Sequence, residues 1–242
     1  MIDIKLLTEK YNPKNFETDY KNGNPVPWIS FDDFLPIDLV AILKNEVYNI
    51  PNHLWTKFTR NESMFYECTK LNNCPTIRNL VLNFNSSEFI TWLEQLTDIK
   101  KLIPDPHIIG AGLMKFGNNG SIRLHTDFNW NDQLGLNRAL NLILYLSDDW
   151  EQSWGGDLEF WSLDRKECLH KIEPQTNKLL VWNYNENLLH GHSNVIKCPP
   201  FKNRIGLRLF YYTSNATPLS PPHRSLYWWD DKKGPYDKRE YK

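Results

Sequence analysis

The residues of this 242-residue chain whose types and spacing could do chemistry begin with His125 and Asp127 in "SIRLHTDF". They stand two apart in a strand-like run, so both project from one face. An imidazole beside a carboxylate makes two corners of a metal-coordination face, and a third corner must come from a neighbouring strand. "LLHGHS" offers two histidines for it, His190 and His192. Two histidines and one carboxylate are a ligand set that leaves positions open on the ion. Taken alone, the His-x-Asp pair is also the pattern of polar residues near a turn, so the case for a metal rests on the later histidines and on the elements that position them. His53, His107, His170 and His223 are read as ordinary polar residues.

Those elements separate at about residue 105. Before it, "VPWISFDDFL" (26–35) reads as a short strand. "PIDLVAILKNEVYNI" carries a helical stripe of Leu39, Val40, Leu43, Val47 and Ile50. "PTIRNLVLNF" (75–84) and "SSEFITWLEQL" (86–96) predict two further helices, the second with Ser86 or Ser87 as N-cap. After it come eight short strand-like runs separated by Asn, Asp, Gly and Pro, ending in "RIGLRLFYYT" (204–213). The first two, "HIIGAGLMKF" (107–116) and "SIRLHTDF" (121–128), flank the turn "GNNG" and predict a hairpin. Strands at this spacing indicate a sandwich or barrel rather than βαβ units. The expected fold is mainly β with flanking helices: a jelly roll of two antiparallel sheets, with N-terminal helices covering one sheet. The domain expectation is one unit over 1–242, with 26–104 as strand and supporting helices, 105–213 as jelly-roll core, and 214–242 as a polar, aromatic, solvated C-terminal extension.

Composition narrows the partners. Lys and Arg total 28 against 29 Asp and Glu, so the basic excess of a nucleic-acid binder is missing. Four cysteines without a C-x-x-C pair are too few for a disulfide framework. No run reaches the about 18 apolar residues of a membrane span, and the N-terminus lacks a signal-peptide pattern. The expectation is a cytoplasmic protein that binds neither nucleic acid nor membrane. The 10 Trp, 11 Tyr and 12 Phe favour strands with large buried area.

From "HTD" onward the chain resembles the Fe(II)/2-oxoglutarate-dependent oxygenases, in particular the prolyl-4-hydroxylase-like branch. The motifs that carry the resemblance are "HTD" (125–127), "NLILYLSDDW" (141–150), "WGGDLEFW" (154–161), "KLLVWNY" (178–184), "LLHGHS" (188–193) and "RIGLRLFYYT" (204–213), spanning roughly residues 105 to 213. "PWISFDDFLPIDLVAIL" is a weaker echo of the strand and helix that open the branch. The resemblance implies a double-stranded β-helix in which His125, Asp127 and His190 hold Fe(II). His190 is preferred to His192 because the distal histidine of the family matches the one before Gly191. It also implies 2-oxoglutarate as co-substrate and O2 as oxidant, with ascorbate a candidate accessory.

The far carboxylate of 2-oxoglutarate needs a cation, and a guanidinium suits it better than a point charge. Arg204 matches the family arginine and Tyr145 the family tyrosine. Asn141 shares the face of Tyr145 by alternation and is a candidate cofactor neighbour. Arg208 lies on the face of Arg204, either turned inward or a surface residue, and Arg123 is a neighbour of His125 without an assigned role. Phe116 departs from the pattern: it stands where some members carry a second contacting tyrosine, and it cannot donate a hydrogen bond. "YLS" replaces the commoner Y-L-N, and "CPPFKN" lengthens the link between His190 and Arg204. Asp127 is present where halogenating relatives carry a small residue, which favours hydroxylation.

The implied activity is hydroxylation of an unactivated C–H bond in a peptide, protein or small-molecule substrate, with proline suggested by the branch alone. Trp161, Arg123 and the tail "SLYWWDD" are candidates to line a cleft, although Trp228 and Trp229 are expected to pack back onto the domain. The alternatives are a cupin-like metal-binding jelly roll without oxygenase activity, which has no use for Arg204, and a purely structural aromatic β domain, which would take up no metal.

Overall fold

A computed structural model describes residues 4–59, 63–147, 149–215 and 219–227. Two short helices open the chain, α1 (Ile4–Lys10) and α2 (Glu17–Lys21), followed by strand β1 (Trp28–Phe31) and helix α3 (Ile37–Tyr48). Next come β2 (Thr56–Phe58), β3 (Phe65–Cys68), α4 (Pro75–Phe84) and α5 (Ser87–Thr97). Then follow β4 (Ile103–Pro104), β5 (Gly112–Phe116), β6 (His125–Thr126), β7 (Trp130–Asn131), β8 (Leu136–Tyr145), β9 (Leu158–Trp161), β10 (Cys168–Ile172), β11 (Leu179–Asn183), β12 (Leu189–Gly191), β13 (Arg204–Thr213) and β14 (Leu226–Tyr227). No described helix is long and apolar enough to cross a membrane.

The strands form two antiparallel sheets. The larger runs β1-β11-β8-β13-β5-β3-β2, with β4 on β13 and β7 on β8; the smaller runs β10-β9-β12-β6-β14. Alternation along β8 and β13 sorts their side chains. Leu140, Leu142, Leu144, Leu207, Leu209 and Tyr211 face outward and pack with Val40, Leu43, Ile77, Leu80, Phe89 and Trp92 of α3, α4 and α5. Helices thus cover the outer face of the larger sheet, as the apolar stripes predict. Ile143, Tyr145, Leu180 and Trp182 face the other way, onto Leu158, Phe160 and Ile172 of the smaller sheet. The site lies in this inter-sheet space. The Ser86 side chain caps α5 by accepting from the Phe89 N–H.

One expectation is corrected. The 107–128 hairpin does not form. β5 enters the larger sheet and β6 the smaller one, and only Gly112–Phe116 and His125–Thr126 are strands in that stretch. The turn instead hands the chain from one sheet to the other, because the backbone of residues 119–122 pairs with residues 192–196. Asn119 N donates to the Ile196 carbonyl at 2.7 Å, Ile196 N to Gly120, and His192 N to Ile122 at 2.7 Å.

In the C-terminal extension, residues 219–227 stay mostly exposed or half-buried but dock on the core at two points. Asn129 Nδ2 donates to Ser220 Oγ and the Pro221 carbonyl, while His223 N donates to Asn129 Oδ1. Leu226 and Tyr227 then add a strand to β6 beside His125, and Tyr227 is buried. Trp228 and Trp229 lie outside the described residues.

Candidate active site

β6 and β12 are neighbours in the smaller sheet, and their register sets His190 directly opposite His125. The two rings lie 4.5 Å apart by centroid. Asp127 follows two residues after His125 and turns to the same place. Its Oδ1 is 3.6 Å from His125 Nε2 and its Oδ2 is 3.3 Å from His190 Nε2. One donor atom from each of the three residues lies within 4.8 Å of the others, and all three residues are buried.

The local chemistry prepares these atoms. His125 Nδ1 is 2.7 Å from the Arg123 carbonyl oxygen, to which it must donate. That contact fixes the tautomer with the Nε2 lone pair free, as a metal ligand requires. The Tyr227 ring stacks on the same imidazole at 4.8 Å and 16°. Burial lowers the pKa of His190, keeping it a neutral imidazole. Burial alone would raise the Asp127 carboxyl, but Arg138 and the two histidines outweigh it and hold that carboxyl well below the usual range. The donor set is therefore two imidazoles and one carboxylate, which suits a non-haem Fe(II) ion.

Arg138 was not anticipated. Its Nη2 donates to Asp127 Oδ2 at 2.8 Å, and both side chains are buried. Its Nε donates to Asn141 Oδ1 at 2.8 Å, and its guanidinium carbon lies 3.4 Å from the centre of the Phe210 ring. Strict alternation from Asn141 would turn residue 138 outward. A bulge prevents this: Tyr211 pairs with Leu140 while Tyr212 pairs with Arg138, so Ala139 is the extra residue. The sequence trace of this is an arginine near the start of a mostly apolar strand.

Asn141 faces the inter-sheet space as expected, but its carbonyl oxygen is engaged by Arg138 rather than left for a cofactor. Arg123 is exposed and serves the site through its carbonyl. A second residue missed from sequence is Glu159, buried on β9. It accepts from Ser193 N and Ser193 Oγ, each at 2.9 Å, and from Trp161 Nε1 at 2.8 Å. It thereby anchors the backbone just after His192 and ties Trp161 back to the sheet.

Across the cavity, β13 carries Arg204, Arg208 and Phe210 on its inner face. Arg204 is buried, and its Nη2 donates to Tyr145 Oη at 3.3 Å. Arg208 pairs with Glu67 Oε1 at 3.0 Å while still lining the cavity, so both of its sequence readings hold part of the answer. Apolar walls come from Met114, Ile143, Leu158 and Trp182. Arg138 is matched by Asp127 and Arg208 by Glu67, which leaves Arg204 as the cavity's cation without an ion-pair partner among the described residues, suited to an anionic co-substrate.

Residues 111–212 match the family model described as the 2OG-Fe(II) oxygenase superfamily. No curated protein matches the chain in sequence. Among solved structures, the chain resembles a prolyl hydroxylase from Trichoplax adhaerens, in complex with a hypoxia inducible factor oxygen degradation domain peptide fragment. The identity is 17%, with 88% of this chain and 94% of that chain covered, at a TM-score of 0.59. It also resembles prolyl 4-hydroxylases from Phytophthora capsici (16% identity, 90% and 68% covered, TM-score 0.62) and Pseudomonas putida (17%, 82% and 99%, 0.54). At such identities the structures speak for the fold. The family match covers 102 of the 242 residues, the jelly-roll core, and the solved structures give the fold: a prolyl-4-hydroxylase-like form of the double-stranded β-helix.

Proposed function

We propose that this chain is an Fe(II)/2-oxoglutarate-dependent oxygenase that hydroxylates an unactivated C–H bond of a proline in a peptide or protein. In this reading His125, Asp127 and His190 hold the iron, and Arg204 with Tyr145 holds the distal carboxylate of 2-oxoglutarate. The observation that carries it is one inter-sheet cavity joining a three-donor cluster to a buried guanidinium that has no carboxylate of its own among the described residues. When bound, Fe(II), 2-oxoglutarate and O2 supply the oxidant, and 2-oxoglutarate leaves as succinate and CO2.

The protein's part is to bind, orient and keep water out. Arg204 gives a carboxylate two parallel N–H donors, and Tyr145, accepting from Arg204, has its own proton to donate to the same carboxylate. Arg138 fixes the rotamer of Asp127 and balances its charge. Met114, Ile143, Leu158, Trp182 and Phe210 exclude water and present an apolar surface, which is the chemistry a pyrrolidine ring calls for. The Trichoplax relative, whose structure holds a peptide fragment, supports a peptide substrate.

The test measures succinate formed from 2-oxoglutarate with Fe(II), and oxygen gain in proline-containing peptides by mass spectrometry. His125→Ala is expected to abolish turnover. Arg204→Met is expected to raise the KM for 2-oxoglutarate about 10- to 100-fold, the worth of a charge-assisted hydrogen-bond pair. Undiminished turnover in His125→Ala refutes the ligand assignment.

A further inference from the structure

His192 is the least explained side chain in the cavity. It is 2% exposed and lines the same cavity as Arg204, yet neither ring nitrogen has a hydrogen-bond partner among the described residues. Buried polar atoms in native proteins nearly always have partners. Two orphan nitrogens on one buried ring point to a partner that is not part of the chain.

The surroundings define that partner. The His192 ring lies 5.0 Å from the Phe116 ring, and the Arg204 guanidinium carbon lies 5.1 Å from the centre of that ring. Phe116 thus offers one apolar face to both groups and no polar atom to either. Arg204 Nε is likewise buried without a partner among the described residues. An arginine can only donate, and a neutral imidazole always has one N–H to give. Tyr145 Oη, which accepts from Arg204, adds a third donor. Three donors converging on one apolar floor call for a group with several lone pairs and negative charge, and a carboxylate has about four acceptor sites.

Gly191 is what brings the imidazole there. Its φ is +153°, and a Cβ would lie 2.7 Å from the carbonyl oxygens of Ile122 and Arg123. Only a glycine lets the chain pass so close, and His192 N then bonds the Ile122 carbonyl at 2.7 Å.

We infer that His192, from the sheet opposite Arg204, is a third donor to the distal carboxylate of 2-oxoglutarate and sets the preference for a five-carbon dicarboxylate over a 2-oxo monoacid. The inference rests on the proposed function above, since it needs that co-substrate in this cavity. His192 supplies from the smaller sheet the hydrogen bond that Phe116 cannot make from the larger one.

The test is anaerobic calorimetry on the Mn(II)-loaded protein, a binding measurement independent of turnover. 2-Oxoglutarate is compared with 2-oxovalerate, which keeps the keto-acid end and lacks the distal carboxylate. Mn(II) affinity is measured first for each variant, as a check on the fold and the ligand cluster. His192→Phe is expected to keep Mn(II) affinity, to weaken 2-oxoglutarate about tenfold or more, and to leave 2-oxovalerate unchanged. His192→Gln, which keeps an N–H donor, is expected to recover most of the loss. Unchanged 2-oxoglutarate affinity in His192→Phe, equal weakening of both ligands, or failure of His192→Gln to rescue overturns the inference and leaves the proposed function standing. A wild-type protein that binds Mn(II) but not 2-oxoglutarate overturns both.

Discussion

Replacing Arg138 by Met removes the positive partner of a buried carboxylate while keeping much of the side-chain volume. Asp127 then loses its 2.8 Å bond, Asn141 Oδ1 loses its bond from Nε, and the Phe210 ring loses a cation 3.4 Å from its centre. Breaking a buried ion pair from one side costs about 3–5 kcal/mol, mostly because the other charge stays buried alone. In a chain of this size each kcal/mol shifts Tm by about 2–4 °C, so the metal-free variant should melt about 6–20 °C lower. With Asp127 as the proposed metal ligand, Mn(II) would provide it with a replacement cation, so saturating metal should shrink the gap between wild type and variant. The assay is urea and thermal unfolding of both proteins, with and without Mn(II). A metal-free loss below about 1 kcal/mol refutes the argument, because it would mean Asp127 has no need of Arg138. An equal loss with and without Mn(II) would separate Asp127 from the metal.

Two further outcomes follow from the same geometry. Gly191→Ala should push β12 away from the Ile122 and Arg123 carbonyls, displace His190 and His192 together, and weaken Mn(II) affinity at least tenfold; unchanged affinity counts against the close approach. Metal-free stability should fall as pH drops below about 6.5, the ordinary histidine pKa. Burial lowers the pKa of His190, and burial with Arg204 lowers that of His192 further, so below that pH the unfolded chain binds more protons than the folded one. Each histidine contributes a slope of up to about 1.4 kcal/mol per pH unit until its folded pKa is passed. The Asp127 carboxyl, held low when folded, opposes nothing here, because its own contribution persists above the unfolded carboxylate pKa of about 3.9 and disappears only at lower pH. A flat profile between pH 7 and 5 would contradict the neutral, buried state of both rings.

Local pattern was informative wherever one residue's periodicity decides its face. The stripes of α3, α4 and α5 place Leu43, Leu80 and Leu93 in the core, Ser86 caps α5, and 204–213 is a strand over its full expected length. His125 and Asp127 meet because they are two apart, and the motif order placed a histidine of "LLHGHS" beside them. Periodicity was less informative at the edges of elements. "SIRLHTDF" reads as one long strand, but Ser121 bonds Met64, Ile122 bonds His192, and only His125–Thr126 joins the ladder.

The amino-acid sequence by itself determined the kinds of donor available, their spacing along the chain and the β-rich jelly roll that carries them. Only the tertiary structure decided which donors meet and which groups serve them. The Ala139 bulge turns Arg138 onto Asp127, β12 slots beside β6 to set His190 opposite His125, and the C-terminal strand lays Tyr227 on His125. The physical reason is that a side chain's direction follows from its own strand, whereas its partner depends on register, bulges and the stacking of two sheets. Those are set by backbone bonds between segments far apart in the chain, and no local period records them.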